Sequence, residues 1–74
     1  MSSLPVVTAR QILRALQRAG FSFSRQSASS HAIYRHPDGR FANIPMHAGD
    51  LKPGTLKSIL ATTGLTVDEL RELL

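Results

Sequence analysis

The chain contains no cysteine, which rules out disulfides and thiolate metal ligands, suits a reducing compartment and leaves stability to packing alone. It has no apolar run of the roughly 20 residues needed to cross a bilayer, and residues 1–7 carry neither the basic region nor the apolar stretch of a signal peptide. The expectation is a cytoplasmic protein with no membrane association. There is no phosphate-cradling glycine loop, no cysteine nucleophile and no cluster of Asp and Glu able to hold two catalytic magnesium ions. No cofactor and no metal are expected. The 74 residues allow one domain, residues 1–74 with residues 1–7 flexible, since so short a chain buries only about 60% of its unfolded surface.

Acidic residues are also scarce. Nine Lys and Arg stand against five Asp and Glu, a net charge of +4, and all the acids but Asp38 lie after residue 49. The first two thirds therefore set Arg10, Arg14, Arg18, Arg25, Arg35 and Arg40 against Asp38 alone, an electrostatic footprint suited to a polyanion. The plainer alternative is that these charges only keep the protein dispersed.

What is present reads as an α-β-β-β-α order with a final short helix. Thr8 and Gln11 have the spacing of a capping box, and Ile12, Leu13, Leu16 and Ala19 recur at helical spacing, predicting a helix over residues 9–19 with Arg10, Arg14 and Arg18 on its solvated side. From residue 21 to 27 apolar and polar residues alternate, with Phe21 and Phe23 on one side, predicting a half-buried strand. Residues 31–36 and 40–46 read as two strands joined by the Pro37-Asp38-Gly39 turn. A three-residue turn with a bulge at Gly39 pairs His36 with Arg40 and puts Ala32, Tyr34, Ala42 and Ile44 on a common core face. His31, Ile33 and Arg35 then lie on the other face. A loop ending in Lys52-Pro53-Gly54-Thr55 leads to a second helix carrying Leu56, Ile59 and Leu60 and stopping at Gly64. Thr66 and Glu69 form another capping box ahead of the last helix.

Histidine is the side chain whose ordinary pKa, about 6.5, lets it exchange a proton near neutrality without a specially built environment. Cleavage of RNA needs a base for the 2′-hydroxyl proton and positive charge for the developing phosphorane, which His and Arg supply. His31, where loop and strand meet beside Ser30, is the candidate acid and base. Arg25, Arg35, Arg40 and Lys52 are the candidate phosphate contacts, with Ser30 offering a hydrogen bond and His47 a further contact. By residue type alone a strand histidine is more often a surface group without chemistry. A metal site of His31, His36 and His47 is disfavoured by strand separation and the lack of nearby carboxylates.

Gly20-Phe21, Arg25-Gln26, Ser30-His31, Tyr34-Arg35-His36-Pro37-Asp38-Gly39-Arg40, Ile44-Pro45-Met46-His47 and Lys52-Pro53-Gly54-Thr55-Leu56, in this order and spacing, closely resemble the HicA toxin family over residues 8–74. The resemblance implies an α+β fold similar to a double-stranded-RNA-binding domain, with helices on a three-stranded antiparallel sheet. It implies a toxin that cleaves messenger RNA as an endoribonuclease and is neutralised by a HicB-like antitoxin covering its active site. The family's catalytic histidine follows a Gly-Ser pair and falls on His31. Ser29 stands where the family has glycine, which restricts the loop's access to positive φ.

Two other functions fit the same residues. A non-catalytic RNA-binding module of this fold would bind RNA and leave it uncut. A small interaction protein would dock its basic sheet on an acidic partner without nucleic acid.

Overall fold

A computed structural model describes residues 3–27, 30–47 and 49–74. The chain folds as α1 (Ala9–Arg18), β1 (Ser22–Ser27), β2 (His31–Arg35), β3 (Phe41–Pro45), α2 (Pro53–Thr63) and α3 (Val67–Leu73). The sheet is antiparallel in the order β1-β2-β3, so β2 is central.

Both expected capping boxes form. Thr8 accepts from the Gln11 amide while the Gln11 side chain accepts from the Thr8 amide, and Thr66 and Glu69 repeat the arrangement at α3, each satisfying two amides that a helix start leaves without partners. α2 begins earlier than the expected loop allows. Pro53 is inside its first turn, with Lys52 at the N-cap, because proline's fixed φ suits the first helical position and its missing N–H has no partner there anyway. Gly64 ends α2 in the left-handed conformation at φ +72°.

The hairpin register is the expected one. His36 donates its amide to the Arg40 carbonyl and accepts from the Gly39 amide at 2.9 Å each, and Tyr34 pairs with Ala42, Ala32 with Ile44 and His31 with Pro45. Ala32, Tyr34, Ala42 and Ile44 are buried with Ile12, Leu16, Leu56, Ile59 and Leu70 of the helices. The core thus lies between one sheet face and the helices, and among the described residues no helix contributes a core cluster to the other face.

β1 departs from the expected half-buried strand. Phe21 is buried just before it, and Ser22 to Gln26 are exposed, as befits an edge strand. A bulge between Phe23 and Arg25 breaks the alternation: Phe23 pairs with Tyr34, whereas Arg25 pairs with Ile33. Phe23 therefore keeps to the core face, edge-on to Tyr34 at 5.8 Å between ring centroids. Arg25, which strict alternation places on the same face as Phe23, is moved to the open face.

The N-terminal segment makes contact with the core where it is described. Leu4 packs against the core, Val7 is 2% exposed and its carbonyl accepts from the Leu51 amide at 2.8 Å, with a bridge between Thr8 and Asp50 beside it. Residues 1 and 2 lie outside the described residues.

Candidate functional site

Same-face register places His31, Ile33 and Arg35 of β2 on the open side of the sheet, with Arg25 and Ser27 of β1 and Phe41, Asn43 and Pro45 of β3. The exposure of β3 alternates accordingly, with Phe41 and Asn43 exposed and Ala42 and Ile44 buried. No carboxylate occupies these strands, so the arginines and any protonated histidine give the face a uniformly positive sign. Ile33 forms its apolar floor: it is 7% exposed yet stands outside the helix-side core cluster.

His31 sits at the loop end of this face, half-buried. The Ser27 hydroxyl donates to the His31 carbonyl at 3.3 Å and the Met46 amide to the Ser30 carbonyl at 3.0 Å, so β1 and the segment after β3 both fasten the backbone around it. Ser30 adopts φ +63°, a left-handed conformation that costs a residue with a Cβ about 1–2 kcal/mol. This positive φ falls on the residue directly before His31, in the loop that Ser29 is expected to restrict. Ser29, where the family has glycine, lies outside the described residues. Among the described residues no hydrogen bond or ion pair holds the His31 ring.

The other candidate residues divide by place. Arg25 stands one same-face step from His31, about 7 Å along the ladder, and Arg35 two steps away, about 13 Å. Arg35 is therefore not immediately beside His31 and is suited to a neighbouring phosphate. His47 lies at the same end as His31, because Pro45 pairs with His31 and the chain runs on through Met46. There His47 lines an open groove of about 460 Å³ with Thr8, Ala9, Arg10, Met46 and Gly49. Lys52 is exposed at the α2 N-cap, where its side chain makes no capping hydrogen bond.

Arg40 is not brought to this face. It shares the core-side parity of His36, its partner across the turn. Its Nη1 donates to the Thr63 carbonyl at 2.6 Å, its Nε pairs with Asp38 Oδ2 at 2.8 Å and its guanidinium lies 5.3 Å from the centre of the Phe21 ring. The Arg40 backbone N–H, donating to Asp38 Oδ1, is the chief reason the Asp38 carboxyl is held below the usual carboxylate range, followed by the guanidinium. His36 completes the cluster, edge-on to Phe21 at 5.1 Å. Its Nδ1 lies 3.1 Å from the Asp38 amide and 3.0 Å from Asp38 Oδ1, so a neutral ring accepts from the amide and a charged ring donates to the carboxylate. His31 and His36 have opposite parity along β2 and its extension, and among the described residues no group of three His, Asp or Glu side chains converges.

Sequence reasoning missed the bulge and the Arg40 clamp. Arg25 and its partner Ile33 are eight positions apart, and nothing in the spacing says where the ladder skips. The clamp joins positions 23 apart, and no local pattern marks such a pair.

Residues 9–65 match the family described as the HicA toxin of bacterial toxin-antitoxin systems. No curated protein matches the chain. The matched span covers α1, the whole sheet and α2, including every candidate residue of the open face. With most of its 74 residues inside that match, the chain belongs to the HicA toxin family.

Proposed function

We propose that this toxin is an endoribonuclease that cuts messenger RNA at the open sheet face with His31 as general base and acid. The observation that supports it most directly is the position of His31 at the loop end of a carboxylate-free face, one same-face step from Arg25. In this reading the imidazole takes the 2′-hydroxyl proton as that oxygen attacks phosphorus, then returns a proton to the departing 5′ oxygen, leaving a cyclic 2′,3′-phosphate. Arg25 offsets the charge of the phosphorane, Arg35 holds an adjacent phosphate, and Ser30, His47 and Lys52 bound the strand's path. Arg40, engaged with Thr63 and Asp38, is assigned to the fold. Membership of the family implies an antitoxin partner. A HicB-like antitoxin that lays acidic side chains over Arg25 and Arg35 would block the same face.

The test compares wild type with His31→Ala on labelled single-stranded RNA in the presence of EDTA, following binding and cleavage together. The expected outcome is cutting by the wild type alone, with binding retained by the variant. Undiminished cutting by His31→Ala sinks the assignment. The second reading, an RNA-binding module without catalysis, is favoured by one observation: no described residue orients the His31 ring. It requires RNA to be bound and left uncut by both proteins.

A further inference from the structure

On the face that carries His31 and Arg35, Phe41 is a large aromatic side chain left 43% exposed. It is the register partner of Arg35, at the far end of the ladder from His31, about 13 Å along the strand. Burying so much aromatic surface against a partner is favourable. The other exposed phenylalanine, Phe23, has its ring edge-on to Tyr34 on the core side. Phe41 has no aromatic partner among the described residues. Between Phe41 and His31, Asn43 presents its amide toward the same open side.

We propose that Phe41 is a stacking platform for an unpaired nucleobase neighbouring the cleaved position, so that the toxin takes single-stranded RNA and not a duplex. An aromatic ring stacks on any base, whereas a phosphate-binding face alone does not distinguish a single strand from a duplex. The cations fix the occupant. Arg25 and Arg35 hold a backbone on the same face, the strands carry no carboxylate, and a base swung down from that backbone meets the ring beside Arg35. A duplex keeps its bases stacked in the helix and cannot deliver one to Phe41. The inference rests on the RNA reading of this face, and the experiment separates the two.

The probe is a short unstructured RNA carrying the fluorescent base 2-aminopurine at successive positions, added to the non-cleaving His31→Ala protein alone and combined with Phe41→Leu, Phe41→Trp or Phe23→Leu. At one position the fluorescence should be quenched on binding, and Phe41→Leu should remove the quench and weaken binding about ten-fold or more. Phe41→Trp should keep both, and Phe23→Leu, on the other face, should change neither. The same RNA annealed to its complement should bind at least about ten-fold more weakly. Unchanged quench and affinity in Phe41→Leu, or a duplex bound as tightly as the single strand, overturns the proposal even if the wild type cuts RNA. Conversely, loss of quench and affinity in Phe41→Leu with no cleavage by any protein upholds the platform and removes the nuclease reading.

Discussion

Arg40 donates to the carbonyl of Thr63, 23 positions away, at 2.6 Å. That bond fastens the β2–β3 turn to the end of α2, where Gly64 turns the chain out of the helix. A charged donor on a part-buried carbonyl contributes about 1.5–3 kcal/mol, and the exposed Asp38 pair adds little. Arg40→Ala should therefore lower the urea midpoint by an amount equivalent to about 2 kcal/mol. RNA affinity measured well below that midpoint should be unaffected. A stable Arg40→Ala protein that binds RNA poorly would return Arg40 to the nucleic-acid face.

Arg25 and Arg35 should behave in the opposite way. Each replaced by Ala should leave the unfolding midpoint nearly unmoved, since both are exposed. Each should also reduce the slope of log affinity against log salt by about 0.7, the value for one phosphate contact on a single strand. The slope is read from titrations at several salt concentrations, and one that Arg25→Ala leaves intact would mean that the bulge does not serve RNA binding.

Gly20 is held at φ +97°, and a Cβ added there would lie 3.0 Å from Nε2 of His36. Gly20→Ala incurs left-handed strain of about 1–2 kcal/mol. It also requires the His36 ring, edge-on to Phe21, to give way by a few tenths of an ångström. Denaturant unfolding should show a loss of at least about 1 kcal/mol, and wild-type stability would refute the left-handed strain at this position.

Ser30 offers a test in the other direction. Its φ of +63° favours glycine, so Ser30→Gly should be neutral or stabilising by up to about 1 kcal/mol, and Ser30→Val should destabilise by about 1–2 kcal/mol. Thermal unfolding of the pair checks the order, and a more stable valine variant would refute the left-handed assignment.

Acid should weaken the fold through Asp38 and Glu69. The Arg40 backbone N–H holds the Asp38 carboxyl low, and the Thr66 backbone N–H does the same for Glu69, followed by the Thr66 hydroxyl. A carboxyl whose folded pKa is depressed contributes stability above its unfolded pKa and loses it as pH falls through the folded one. Melting temperature should therefore fall below about pH 4.5, and less steeply in Asp38→Asn and Glu69→Gln. Parallel wild-type and variant curves would contradict this linkage.

Much of this protein is written locally. The capping boxes at Thr8 and Thr66, the Pro37-Asp38-Gly39 turn and the stop at Gly64 depend on residues a few positions apart, so the sequence alone determines where these elements begin, turn and end. The turn length also settles the register of β2 on β3 and thereby the face on which His31 lies. Tertiary structure decided what depends on distant segments. Pairing of β1 with β2 required the bulge that turned Arg25 to the His31 side. Packing of the hairpin against α2 brought Arg40, already on the core-side parity, to the Thr63 carbonyl, and the segment before α2 came to lie against Val7 and Thr8 through Leu51 and Asp50. The physical reason is common to all: hydrogen-bonding and conformational preferences act within a turn, whereas the partner of an arginine or the skip in a ladder is set by which surfaces meet when the core closes.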